Sequence, residues 1–264
     1  MSELLFFDVD GTLITLDDRH EMPESTKEAL YQAKENGHKI FINTGRVKTA
    51  IDRHLLEFGF DGLVCGCGTY IEYEGQTLFH NRLSKEQCLH YAKILRDNHF
   101  QTVFEGKDRL FIEGDYGKGG FMEYIYEYFS RNSDYPIESS SHPEFIFDKF
   151  TTVRMPDSEV RVLEQEFGKD FTVIPHSEQV YELVPKGFSK ATGIQYMMEY
   201  LGASLSDCYA FGDSINDLEM LKYVPHSVAM GNSVEAVFDV AEYKTRHIKE
   251  NGIREALLHY ELIR

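Results

Sequence analysis

Leu4-Leu5-Phe6-Phe7-Asp8-Val9-Asp10-Gly11 joins a four-residue apolar run to two acids and a turn glycine. A short apolar run closed by turn chemistry reads as a buried strand. Working outward, Ser25 to Asn36 sets Ala29, Leu30 and Ala33 at helical spacing, and Gly37 suits the stop. His38 to Asn43 reads as a second strand, ending in Thr44-Gly45-Arg46. Val47 to Phe58 has Ile51, Leu55 and Phe58 on one helical face, and Gly62 to Cys65 is a third strand. Strand and helix alternate, which predicts a parallel sheet covered by helices.

The rhythm returns after Pro185. Ser189 to Leu201 reads as a helix, and Cys208 to Phe211 as a strand ending in Gly212-Asp213. Helices over 215–223 and 233–238 flank a strand over 227–230, and 252–262 closes the chain as a helix. The intervening stretch differs in character. Ser84 to Asn98 reads as a helix with Ser84 and Gln87 as a capping box. Short strands follow at 102–104 and 110–112, an aromatic-rich helix at 119–130, strand-like alternation over 145–155, a helix at 157–167, and two strands within 171–184. The fold expected is α/β: a doubly wound, mostly parallel sheet built from residues 1–82 and 185–264, with 83–184 inserted as an α+β domain.

Composition narrows the function. Lys and Arg number 27 against 44 Asp and Glu, a net charge of −17 that opposes nonspecific binding to nucleic acid or to an anionic membrane. Apolar residues at 42% with aromatics at 13% describe a chain that buries a core. No apolar stretch approaches the ~18 residues of a transmembrane helix. Met1-Ser2-Glu3-Leu4 lacks the basic and apolar regions of a secretory signal, so a cytoplasmic protein is expected. Cys65, Cys67, Cys88 and Cys208 are then expected reduced and buried. The sequence sets no oligomeric state.

Ligands of open parallel sheets bind beyond the carboxyl ends of the strands. Four polar clusters stand there: Asp8 with Asp10, Thr44 with Gly45, Lys190, and Asp213 with Asn216 and Asp217. Asp8, Asp10 and Asp213 brought together repel one another, and a hard divalent cation such as Mg²⁺ relieves that repulsion. Lys190 opens a helix whose N-terminal amides favour an anion. Carboxylates with a cation, plus hydroxyl, amide and ammonium donors, describe a site for phosphoryl transfer. Each cluster alone is weak: a D-x-D is more often a surface loop, T-G-R a common turn, a lone Lys a solvated helix residue. Their order and placement carry the reading.

Phe7-Asp8-Val9-Asp10-Gly11-Thr12-Leu13 resembles the first motif of the haloacid dehalogenase-like hydrolase superfamily. Asn43-Thr44-Gly45-Arg46 is similar to its second, Gly187-Phe188-Ser189-Lys190-Ala191 to its third, and Gly212-Asp213-Ser214-Ile215-Asn216-Asp217 to its fourth. The insert between the second and third motifs resembles the α/β cap of the Cof-type, subclass IIB branch, which has a Rossmann-like core. The resemblance implies a Mg²⁺-dependent phosphatase of small phosphomonoesters, a sugar phosphate or similar, acting through an aspartyl phosphate. It implies Asp8 as nucleophile and Asp10 as general acid and base, held near Thr15 to Asp18. Mg²⁺ would lie on the Asp8 side chain, the Asp10 carbonyl and Asp213. The amides of Val9 and Gly45, with Thr44, Lys190 and Asn216, would hold the phosphoryl oxygens. Asp217 would orient Lys190 or a metal-bound water.

One departure from the pattern is plain. Cof-type relatives usually have Asn-Gly-Ala where this chain has Cys67-Gly68-Thr69. In the insert, Lys107, Arg109, Lys118, Phe111, Tyr116 and Phe121 are candidates for setting specificity. Three alternatives stand beside this reading: a phosphomutase of the same superfamily, a noncatalytic phosphometabolite-binding protein on the same fold, and a phosphate-accepting receiver module, although receivers normally lack such an insert and set their acidic pair far from D-x-D-G-T.

Overall fold

The computed structural model describes residues 2–17, 19–113 and 120–264, and for Phe121 the backbone alone. It divides into two compact units. The first comprises Met1–Gly45, Phe60–Leu78 and Ser189–Arg264; the second comprises Arg46–Gly59 and Phe79–Phe188.

In the first unit β1 (Leu4–Phe7) is buried along its whole length. It pairs in parallel with β2 (Lys39–Asn43) on one side. Phe6 stacks on Phe41, its register partner in β2, with ring centroids 4.8 Å apart. A strand covered on both faces needs an unbroken apolar run, which is what Leu4 to Phe7 supplies. β3 (Gly62–Cys65) continues the parallel sheet beyond β2. β4 (Tyr70–Tyr73) then reverses direction against β3, and β5 (Gln76–His80) forms the edge. Glu74 and Gly75 link them at φ +47° and +76°, the positive pair a two-residue primed turn requires. Neither β4 nor β5 was expected from the sequence.

The remaining strands of this sheet come late in the chain. They are β12 (Cys208–Gly212), β13 (His226–Ala229) and β14 (Tyr243–Lys244), and the order is β14-β13-β12-β1-β2-β3-β4-β5. β12 pairs in parallel with the other edge of β1, where Phe7 stacks on its register partner Phe211 at 4.4 Å. The covering helices are α1 (Glu24–Glu35), α5 (Lys190–Leu201), α6 (Leu218–Tyr223), α7 (Glu235–Phe238) and α8 (Gly252–His259).

The second unit holds a six-stranded sheet of order β10-β11-β9-β6-β7-β8. Its strands are β6 (Gln101–Glu105), β7 (Leu110–Ile112), β8 (Ile137–Ser139), β9 (Lys149–Val153), β10 (Phe171–Pro175) and β11 (Val180–Pro185). Neighbours are antiparallel except β7 and β8. α3 (Lys85–Asp97) carries the expected capping box: the Gln87 amide donates to Ser84 Oγ at 3.2 Å, and the Ser84 amide to Gln87 Oε1 at 2.9 Å. One face of the sheet buries Phe104, Phe111, Phe145, Phe147, Phe150, Phe167 and Phe171 with α3.

Two helices expected from the sequence do not form as read. Between Val47 and Phe58 the chain makes a single 3₁₀ turn (Lys48–Ala50) and a five-residue α2 (Arg53–Glu57). Val47 and Ala50 pack with Val103, Leu110, Ile112, Val153 and with Met122 of α4 (Phe121–Asn132), and Thr49 Oγ1 donates to the Gly106 carbonyl at 2.9 Å. These tertiary contacts override the helical spacing and draw 46–59 into the second unit, not into the unit formed by the start of the chain. Over 157–167 only the second half, 161–167, is helical, most of it a wide turn at Leu163–Phe167 whose two apolar ends, Leu163 and Phe167, are buried in the aromatic cluster.

Candidate functional site

The site grows from the carboxyl ends of β1, β2 and β12. The Asp8 amide continues the ladder by donating to the Phe211 carbonyl at 3.0 Å. Beyond it the chain folds on itself: the Val9 carbonyl accepts from the amides of Leu13 and Ile14 at 2.9 and 3.0 Å. Gly11 takes φ +80°, and a Cβ there would lie 2.3 Å from Asp213 Oδ2, so this position requires glycine for both its backbone and its space. The loop thus presents Asp8, Val9 and Asp10 beside Asp213.

Lys190 reaches in as the first residue of α5, its cap made by Ser189, whose Oγ accepts from the Thr192 amide at 3.3 Å. Its ammonium has three N–H donors and meets three acceptors. They are Asp8 Oδ1 at 2.6 Å, Asp217 Oδ1 at 2.5 Å and Asn216 Oδ1 at 3.2 Å. Behind it Asn43 Nδ2 donates to the Lys190 carbonyl at 3.0 Å, tying the helix start to the end of β2. Asp217 Oδ2 accepts from the amides of Asp213 and Ser214, each at 2.9 Å. Thr12 Oγ1 donates to Asp213 Oδ1 at 2.9 Å.

All four charges lie out of water: Asp8 is 4% exposed, Asp213 6%, Lys190 1% and Asp217 0%. Burial pushes the Asp8 carboxyl well above its ordinary range, helped by Asp217 and opposed by Lys190. Burial and the Asp217 charge carry Asp213 to about 7. Burial alone would lower Lys190, but Asp217 and Asp8 outweigh it and hold the ammonium above its ordinary value.

One carboxylate oxygen from each of Asp8, Asp213 and Asp217 can be chosen so that all three lie within 4.8 Å of one another. Lys190 and two amides engage both Asp217 oxygens, whereas Lys190 reaches one oxygen of Asp8 and Thr12 one oxygen of Asp213, so Asp8 and Asp213 are the side chains that could hold a cation. Hard oxygen donors, excess negative charge and a carboxyl lifted to about 7 fit Mg²⁺.

Thr44 and Gly45 follow the end of β2, and both are buried. The Thr44 amide donates to the Val64 carbonyl at 2.9 Å, and its carbonyl accepts from the Cys67 amide at 3.0 Å. Arg46 belongs to the second unit, where its guanidinium meets the Ala50 carbonyl, Asp52 and Tyr128. Asp10 sits in the loop after β1, bridged to Ile14. Thr12, Asn43 and Ser214 were quoted within the motifs but given no role; their polar side chains beside apolar strand ends were the available signal.

In the insert, Arg109 contacts Glu144 at 3.2 Å and His142 at 3.2 Å, and Lys107 shares the β6–β7 turn. Phe111 is a correction: it is fully buried, edge-to-face on Phe145 at 5.1 Å, and is a core residue. Asp18, Tyr116, Lys118 and the Phe121 side chain lie outside the described residues. All four cysteines are buried and outside any disulfide. No described helix is long and apolar enough to cross a membrane.

The family profile described as haloacid dehalogenase-like hydrolase matches residues 5–257. YkrA of Bacillus subtilis (strain 168) is 29% identical over 268 residues, covering 100% of this chain and 99% of its own. The HMP-PP phosphatase of Yersinia pestis (strain Pestoides F) is 28% identical over 246 residues, covering 89% and 85%. Among solved structures, the subclass IIB sugar phosphatase BT4131 superposes with a TM-score of 0.83 at 26% identity, covering 99% of this chain and 100% of that one.

Proposed function

Because the chain belongs to the haloacid dehalogenase-like hydrolase family and is a phosphatase of that family, we propose that it hydrolyses small phosphomonoesters, sugar phosphates or similar, through a phosphorylated Asp8. The observation that carries this reading is the Lys190 ammonium held between Asp8 and Asp217 beside Asp213. A buried nucleophilic carboxylate next to a fixed cation is the arrangement that in-line attack on phosphorus needs.

Asp8 Oδ attacks phosphorus, and the bond from phosphorus to the leaving oxygen breaks. That oxygen takes the proton of the Asp10 carboxyl. In the second half a water attacks the same phosphorus, gives its proton to the Asp10 carboxylate, and orthophosphate departs as Asp8 is regenerated. Thr44, the amides of Val9 and Gly45, Lys190 and Asn216 hold the nonbridging oxygens. The Asp8 carboxylate, the Asp10 carbonyl and Asp213 would hold Mg²⁺. When bound, the ion supplies charge that offsets the three acids and steadies the phosphoryl oxygens. Asp217 acts through Lys190, whose position it fixes.

Phosphate monoester hydrolysis without an enzyme is among the slowest reactions, with accelerations approaching ~10²¹. One electrostatic donor contributes about 3–4 kcal/mol, so several must act together. The test is phosphate release from a panel of phosphomonoesters with Mg²⁺ and with EDTA. Mg²⁺-dependent release with a preferred substrate is the expected result. Release that EDTA leaves unchanged would overturn the metal assignment, and no release from any member would overturn the substrate class.

A further inference from the structure

The second unit has a cleft of about 390 Å³ that takes no part in the phosphoryl-transfer steps above, although two of the specificity candidates, Lys107 and Arg109, line it. Its walls come from three stretches: His80, Arg82 and Lys85 leading into α3, Lys107 and Arg109 on the β6–β7 turn, and the strand-leading segment that ends in Asp148. The chain as a whole carries 27 basic against 44 acidic side chains, yet here four permanent cations and an imidazole face three acids. Two of those acids are already engaged within the cleft. Glu144 lies 3.2 Å from Arg109, and Asp148, 2% exposed, lies 2.9 Å from His80 Nε2.

Two of the cations are also positioned. Lys85 Nζ donates to the Pro143 carbonyl at 2.9 Å across the cleft, and Arg109 is braced by His142. α3, thirteen residues long, begins at Lys85, so its positive end adds to the same field. The volume falls within the ~300–1,000 Å³ of small-ligand sites. We propose that this cleft binds the anionic oxygens, phosphoryl or carboxylate, of a small metabolite. A rigid cationic cleft in an acidic protein concentrates such ligands against the global field.

The experiment titrates orthophosphate, and separately citrate, into the full chain at constant ionic strength while following the His80 imidazole by NMR, assigned with His80→Gln. A saturable shift with one or both anions is expected, the responding anion naming the group recognised. The shift should weaken at least tenfold in Arg82→Gln/Lys107→Gln and persist in Lys190→Ala. Lys85→Glu, at an exposed side chain, should weaken it likewise and carries the test if the double variant fails to fold. No saturable shift with either anion, or a shift lost in Lys190→Ala but undiminished in the cleft variants, overturns the proposal.

Discussion

The Nζ of Lys190 stands 2.5 Å from Oδ1 of Asp217, and both side chains are shut off from solvent. The other Asp217 oxygen accepts two amides of the turn after β12, so one carboxylate locks a helix start to a strand end. Removing it leaves the buried ammonium with Asp8 as its one carboxylate partner and takes the acceptor from two amides. Asp217→Ala should lower unfolding free energy by about 3–5 kcal/mol, read by urea denaturation. Asp217→Asn, which keeps the shape, should lose less stability and still depress kcat more than it raises KM. A fully stable Asp217→Ala protein would contradict the positioning role.

Asp8→Asn should reduce turnover by about 10⁴–10⁶-fold, because an amide oxygen is a poor nucleophile. Asp10→Asn should lose about 10²–10⁴-fold and suffer least with substrates whose leaving group needs no proton. Comparing an alkyl with a nitrophenyl phosphate makes that distinction. Substantial activity in Asp8→Asn would sink the nucleophile assignment.

Asp213 gives a pH signature in the absence of added cation. Its folded value is about 7 against 3.8 as an ordinary carboxyl. A carboxyl raised in the fold contributes stability below about pH 4 and loses it as pH rises through 7, here on the order of 1–4 kcal/mol. The wild type in EDTA should therefore lose stability between pH 4 and 7 relative to Asp213→Asn. Mg²⁺ should restore more at pH 8 than at pH 5. Parallel pH profiles for the two proteins would rule this out.

A second buried charge set lies in the insert. Lys149 Nζ meets Glu105 Oε2 at 2.9 Å and Glu182 Oε1 at 2.8 Å, and Glu182 Oε2 meets His176 at 2.8 Å. Burial would raise Glu182, but Lys149 and His176 hold it far below the ordinary range. That depressed value is stability present above about pH 4.5 and lost as pH falls toward the folded value. Lys149→Met should cost about 3–5 kcal/mol at neutral pH, and adding Glu105→Gln and Glu182→Gln should recover part of it. No loss in the single variant would refute the triad's role.

Cys67 occupies left-handed backbone at φ 55°, ψ 40°. Asparagine tolerates that region well, which gives a physical reason for the Asn that Cof-type relatives usually place there. Cys67→Val should lose about 2 kcal/mol despite its apolar side chain, while Cys67→Gly should be tolerated. Thermal melts of the pair decide it, and equal melting temperatures would count against backbone strain at this residue.

What could be read from sequence followed locality. Each motif is a few adjacent residues at a strand end, so Asp8, Lys190 and Asp213 are legible in the sequence alone. The Glu105–Lys149–Glu182 triad was not, because its members lie on three strands far apart in the chain and each looks like a solvated charge. The stretch 46–59 misled for a related reason: its apolar spacing fits a helix, while its partners Val103 and Val153 lie far along the chain. The β4–β5 hairpin was missed because Glu74-Gly75 is a weaker turn signal than Asn-Gly or Asp-Gly.

β1 lies between β2 and β12, and those neighbours emerge from the ribosome at very different times. Lys39 follows Phe7 by some thirty residues, whereas Cys208 follows it by about two hundred. During synthesis one edge of the most apolar strand therefore waits, unpaired, through translation of the whole second unit. That unit, complete by Phe188, can settle first. Nascent-chain fractions truncated before Cys208 should thus engage chaperones through β1, and Asp213, the last acid of the proposed metal set, is placed by the same strand that closes the edge.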